Sequence, residues 1–328
     1  MSATTTSSRT TAPGPDSAAT PTEGRVITRR HRNLLLAAAI STALLVTMGA
    51  VVCATESGEA CPDWPGCYGR AIPPPQINAI IEYTHRVIAL ITTPLIVASA
   101  YLGWRRARSQ RLLRWLPTIA IPFTLAVATF GAFAVLTGLA RPVAAIDLGA
   151  ALIVLMLVTA AATVGWVKYG RPDAPDRLST ATPFAKLAAG ASFGVYATYV
   201  SGVLVAGEGS LTRCLSWPIW RLLPYDLPGW PQVVRLIVSV TAALLLLALG
   251  GQALRGRGGA ALRRPALVLV LAFALEMIVG VIMMVAGASP FLGAVYVAAA
   301  VAVWCMLVVI TTRVALDAAE NRRAAVTT

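Results

Sequence analysis

Eight apolar stretches, each about 20 residues long, punctuate this chain near residues 34–54, 79–103, 115–139, 143–167, 184–206, 232–254, 265–287 and 291–312. Each is long enough to cross the hydrocarbon core of a bilayer as a helix. None alternates apolar and polar residues in the manner of a barrel strand facing lipid. Every backbone amide in hydrocarbon must be satisfied within its own segment, so all eight are predicted to be helical. Composition agrees, because 57% of the 328 residues are hydrophobic and only 12% charged. That is more apolar surface than a soluble core of this length can bury, and lipid must cover the rest.

The formal net charge of +13 would suit a nucleic-acid partner if the basic residues shared one soluble face. Instead they punctuate the apolar runs. Arg25, Arg29, Arg30 and Arg32 precede the first run, and Arg105, Arg106, Arg108, Arg111 and Arg114 follow the second. Lys168, Arg171 and Arg177, then Arg255, Arg257, Arg263 and Arg264, and finally Arg313, Arg322 and Arg323 occupy the later alternate connections. This positive-inside pattern predicts a multi-pass protein of a bacterial-type plasma membrane with both termini cytoplasmic and no nucleic-acid partner. Residues 1–24, rich in Ser, Thr, Ala and Pro, read as a disordered cytoplasmic tail rather than a cleavable signal, and residues 316–328 as a second tail.

The orientation leaves two sizeable outer loops, residues 55–78 and 207–231, each following the first helix of a four-helix set. At a constant offset Gly49 pairs with Gly202, Ser57 with Ser210, Cys61 with Cys214, Trp64 with Trp217 and Pro65 with Pro218. A second echo aligns Arg86 with Arg235, Gly131 with Gly280 and Gly138 with Gly287. Four helices per unit is an even number, so the expected fold is all-α and integral to the membrane: eight transmembrane helices as two parallel four-helix-bundle repeats. The expected halves are residues 25–170 and 184–315, joined by a cytoplasmic linker at 171–183.

Cys61 and Cys67 lie in the first outer loop, where an oxidising compartment and a short spacing favour a disulfide. Such a bond either pins the loop or takes part in redox chemistry. Cys214 has Trp220 where a partner would stand and reads as a free thiol, while Cys53 and Cys305 read as small buried hydrophobes within helices. The sharpest local signal is EYTHR at residues 82–86. Spacings of three and four place Glu82, His85 and Arg86 on one helical face, and ionisable residues at this depth turn toward a bundle interior. His85 is then either a histidine satisfied by Glu82 or a neighbouring helix, or an axial ligand to haem iron. Arg86 pairs with Glu82 or binds an anionic group such as a haem propionate. Asp147 is a lone acid in the fourth run: a bundle hydrogen bond, a partner for Arg86 or Arg141, or a pocket residue facing His85. Glu276 is a further buried acid with no assigned role, and His31, among arginines, reads as topogenic or solvated rather than as a ligand.

SGEACPDWPGC, AIIEYTHRVIAL and LTGLARPVAAIDLGAALIVL, set in eight helices with a parallel repeat, together resemble the haem A synthase family, also called the CtaA/Cox15 family. The likeness covers nearly the whole chain after the tail and is strongest in the first half. It implies oxidation of a ring methyl of haem O to the formyl of haem A, in support of cytochrome oxidase assembly. It implies haem as substrate and product, with haem O synthase, an electron donor or oxidase assembly factors as partners beside membrane lipid. By position, His85 matches the family's second-helix haem ligand, Glu82 its essential acid, and Cys61 with Cys67 its outer-loop disulfide.

Several positions depart from that pattern. Asp147 stands where the family has a fourth-helix histidine, and the second-half ligand positions hold Val234 and Tyr296. Cys53 also stands where family members often have arginine. With two histidines in the whole chain, a bis-histidine haem b site in the second half is excluded on composition. Three function classes follow: a haem A synthase-like oxidoreductase, a non-catalytic protein that binds or delivers haem or assists oxidase assembly, and a small-molecule transporter.

Overall fold

The computed structural model of the protein describes residues 27–63, 66–137, 141–205, 217–218, 229–287 and 289–327. The expected N-terminal tail, Trp64, Pro65 and Cys214 lie outside them. Eight helices run in order: α1 (Arg29–Ala54), α2 (Ile77–Arg106), α3 (Arg111–Thr137), α4 (Arg141–Gly170), α5 (Pro183–Val205), α6 (Trp230–Leu254), α7 (Ala260–Ala286) and α8 (Pro290–Thr327). Each contains a span long and apolar enough to cross a membrane. Apolar stripes such as Leu36, Ile40 and Leu44 on α1, and Leu271, Leu275, Ile278 and Ile282 on α7, face outward. Such faces are stable only against lipid.

Packing sorts the helices into two rings. In the first, α1 contacts α2 and α4, and α3 contacts the same two, so α2 and α4 face each other across a diagonal. The second ring repeats the pattern with α5, α6, α7 and α8. The rings meet where α4 touches α5 and α8 and where α1 touches α8. That seam holds much of the largest core, including Leu152, Leu155, Val301 and Trp304. There Trp304 Nε1 donates to the Leu152 carbonyl at 3.1 Å. A Cβ on Gly149 would fall 2.8 Å from the Tyr196 hydroxyl, so glycine is what lets α4 and α5 approach. The most apolar windows of α4 and α8 are 56% and 61% buried against 11% for α3, which makes α4 and α8 the structural spine.

At the arginine-rich end some of the basic residues are buried. Lys168 is 1% exposed. Its Nζ donates to the Ala174 carbonyl at 2.9 Å and lies 3.7 Å from Asp176. Asp176 in turn accepts from the backbone amides of Arg111 and Leu112, capping α3 with the segment that links the two rings. His31 is likewise buried rather than solvated, in the first turn of α1, whose amide is capped by the Thr28 hydroxyl. α8 continues as a helix to Thr327, past the apolar run that ends near 312. Val314, Ala315, Leu316 and Ala318 are buried there. Ser179 N donates to the Ala315 carbonyl, and Arg171 pairs with Asp317 and Glu320. Tertiary contact, which hydropathy does not encode, carries this extension.

Candidate functional site

At the opposite end of the first ring the loop after α1 folds back over the start of α2. Cys61 and Cys67 form the expected disulfide and are both fully buried. They pack with Ala79 and Tyr83 of α2. Asp63 organises the loop from within, its carboxylate accepting from the amides of Tyr68 and Gly69. Tyr68 sits at φ 56° and Gly69 at φ 65°, a left-handed turn that these two bonds hold closed.

Glu82 and Arg86 are one turn apart on α2 and form an ion pair. Glu82 is 3% exposed. Its second oxygen accepts from the Cys61 amide at 2.8 Å, so the acid of the EYTHR motif also anchors the disulfide loop. The Arg86 guanidinium donates to the carbonyls of Asp63 at 2.6 Å, Gly66 at 2.5 Å and Cys61 at 3.4 Å. Sequence reasoning anticipated the Glu82 partner but not the three loop carbonyls. Residue type alone does not reveal which peptide oxygens a fold brings within reach.

His85 points between α1 and α2. A Cβ on Gly49 would meet its Cε1 at 3.0 Å, so the absence of a side chain at Gly49 makes the space this ring occupies. The imidazole also faces the backbone of Leu45 on α1. Nδ1 is buried and has no hydrogen-bond partner. Glu82 is engaged by Arg86 and the loop, so the reading in which it satisfies His85 finds no support among the bonds of the described residues.

Asp147 lies on α4, across the ring diagonal from α2. Its Oδ1 is buried with no hydrogen-bond partner, and among the described residues no ion pair joins it to Arg86. Among the buried atoms without a hydrogen-bond partner in the first ring are His85 Nδ1 and Asp147 Oδ1, on opposed helices.

The corresponding region of the second ring is filled by side chains. Tyr199, Glu276 and Tyr296 are fully buried, and Trp217 is 3% exposed. The Tyr199 hydroxyl donates to the Glu276 carboxyl at 3.2 Å. The Trp217 amide donates to the Tyr296 hydroxyl at 2.9 Å. The Trp217 ring packs edge-on between Tyr199 and Phe273, with centroids 6.1 and 5.1 Å away. Val234 is half exposed on the outside of the bundle, whereas Arg235 turns in. Glu276 thus acquires a role that sequence reasoning left open, as an acceptor inside an aromatic core.

The cysteine assignments also change. Cys53 is disulfide-bonded rather than a lone small hydrophobe. Among the described residues only Cys305 is free, and it is mostly buried within α8.

A family profile described as "Cytochrome oxidase assembly protein" (COX15-CtaA) matches residues 32–80 and 76–308. A protein named "Heme A synthase" from Bacillus mycoides is 27% identical over 301 residues, covering 87% of this chain and 95% of the relative. Another of that name from Halalkalibacterium halodurans is 27% identical over 227 residues, 64% of this chain and 76% of the relative. A "Protoheme IX farnesyltransferase" from Halobacterium salinarum is 29% identical over 115 residues, 35% of this chain and 25% of the relative.

Proposed function

The chain belongs to the COX15-CtaA family of cytochrome oxidase assembly proteins, and from that premise we propose that it is a membrane oxidoreductase converting haem O to haem A in its first ring. The observation that carries the proposal is the buried His85 Nδ1, which has no hydrogen-bond partner and sits one turn from the buried acid Glu82. A ligating imidazole uses one nitrogen on the protein backbone and leaves the other's lone pair for the metal. His85, facing Leu45 with Nδ1 unpartnered, has that character. The residues of the first ring therefore fit a haem, which His85 would hold, with Asp147 across the diagonal.

Bound haem would supply the iron that activates oxygen, with the methyl to be oxidised as part of the same ring. The chain's own residues then have separate tasks. His85 would hold the iron. The Glu82 carboxylate accepts bonds from Arg86 and Cys61 N and would serve as the local proton carrier, while oxygen and an external electron donor would supply the oxidation of the methyl. The disulfide loop closes over this end of α2 and limits water entry.

The second ring does not fit the same cofactor. Val234 offers no ligand and faces outward, and Tyr296 is sealed in the core by the Trp217 amide. We therefore assign one haem per chain. Basic residues at the end away from the disulfide loop support an orientation with both termini cytoplasmic. A relative named as a farnesyltransferase of protohaem supports haem O synthase as a partner.

The test is expression in a bacterial host that makes haem O but no haem A, followed by pigment extraction. Haem A is the expected product. Haem bound without conversion would leave a haem-binding or delivery role, and a purified protein free of haem would refute both.

Gly49 offers a separate check. Alanine is favoured over glycine in a helix interior by about 0.8–1.0 kcal/mol. Its Cβ would nevertheless crowd the imidazole at 3.0 Å. Gly49→Ala should leave the thermal midpoint unchanged or raised while lowering haem A formation about tenfold, as misplaced reacting groups do. Equal activity at equal stability would show that the ring's placement over Gly49 does not matter.

A further inference from the structure

We propose that Arg86 is a positioning residue that acts on Glu82 through the disulfide loop, and that it is not an anchor for an anionic group of the substrate; this rests on the reading of Glu82 as the site acid. The bonds form a closed circuit. Arg86 holds one Glu82 oxygen and the carbonyls of Cys61, Asp63 and Gly66, while the Cys61 amide holds the other Glu82 oxygen. A guanidinium has five donors in a fixed planar fork, and here that fork is engaged by four oxygens of the protein. The side chains of Arg86 and Glu82 are 11% and 4% exposed, so water contributes little to holding either one.

The loop is the lever in this circuit. The Cys61–Cys67 bond joins residues six positions apart and closes a ring. That ring presents three carbonyls on one side, to Arg86, and one amide, to Glu82. Three peptide oxygens converging in a partly buried place are costly unless a donor meets them. Loss of Arg86 therefore unseats the loop, and the unseated loop withdraws the Cys61 amide from Glu82. An arginine that bound a carboxylate of the substrate would instead leave donors pointing into the ring interior. The guanidinium of Arg86 points back toward the loop.

The experiment uses the purified full-length protein and its Arg86→Gln and Arg86→Lys variants. A water-soluble phosphine reduces Cys61–Cys67 by two electrons, a maleimide traps the thiols, and mass spectrometry follows the rate of labelling. Hydrogen bonds to a charged group contribute about 1.5–3 kcal/mol each, so losing even one such bond predicts labelling at least about tenfold faster in Arg86→Gln. Arg86→Lys, which keeps the charge but not the fork, should fall between the two. Haem content per folded molecule should stay at the wild-type level while haem O conversion drops at least about tenfold.

A wild-type labelling rate in Arg86→Gln would overturn the proposal. So would loss of haem from Arg86→Gln with restoration by Arg86→Lys at unchanged labelling, the signature of an anionic-group anchor. If Arg86→Gln fails to fold, Arg86→Lys alone decides between the same outcomes. The labelling assay needs no haem. A wild-type protein without haem would therefore defeat the proposed function and leave the loop measurement standing.

Discussion

His85→Ala, purified from haem-replete cells, should lose its Soret absorbance, with haem per protein falling from about one to less than about 0.1, the result expected of removing the proposed haem ligand. The chain has only one other histidine. His31 lies in the first turn of α1, eighteen residues before Gly49, the neighbour of His85. At 1.5 Å rise per residue that is about 27 Å along the helix. The free thiol of Cys305 belongs to α8 in the other ring. Truncation to alanine leaves the other α1–α2 contacts in place, so the variant should still fold. Helicity by circular dichroism and monodisperse elution in detergent provide the control. Soret intensity equal to wild type in a folded His85→Ala protein would end the ligand assignment, and with it the placement of chemistry in the first ring.

The parts of this molecule that hydropathy encodes were legible in advance, and the parts that depend on directional bonds were not. The eight apolar runs matched eight helices, with the largest difference at α8, because lipid imposes length and helicity on any span. The spacing of Glu82, His85 and Arg86 put them on one side of α2, and the short separation of Cys61 and Cys67 suited the disulfide that forms. The positive-inside pattern places Lys168 and His31 near a membrane boundary, where charge is ordinarily exposed, and does not reveal that both are buried. Here a carbonyl and a linker carboxylate receive Lys168, and close packing encloses His31. Cys53 was read as packing because nothing in its apolar surroundings announces a disulfide. The loop carbonyls around Arg86 left no trace in residue type, since every residue carries a carbonyl. The repeat aligned Trp64 with Trp217, yet an alignment does not say that the second of these fills a core.

That filled core is the basis for the second large effect, on stability rather than on the cofactor. Trp217 lies between Tyr199 and Phe273, and its amide is bonded to Tyr296, in the ring to which we assign no haem. Trp217→Ala should destabilise the protein by about 3–5 kcal/mol, the range for emptying a large aromatic from a packed interior. At roughly 2 °C per kcal/mol for a chain larger than 250 residues, the thermal midpoint should fall by about 6–10 °C. Tyr296→Phe should cost about 1–3 kcal/mol, because it leaves the buried Trp217 amide without its acceptor. Neither change should alter haem content per folded molecule, since both lie in the ring opposite His85. Thermal melts and pigment extraction on the same preparations measure the two quantities together. If Trp217→Ala lost haem from the folded fraction as His85→Ala does, the second ring would have to contribute to the cofactor site, and one haem per chain could no longer be assigned to α2 and α4 alone. A drop in the midpoint at constant haem content is the result expected if the rings have divided the work, the first holding the cofactor and the second bracing it through α4 and α8.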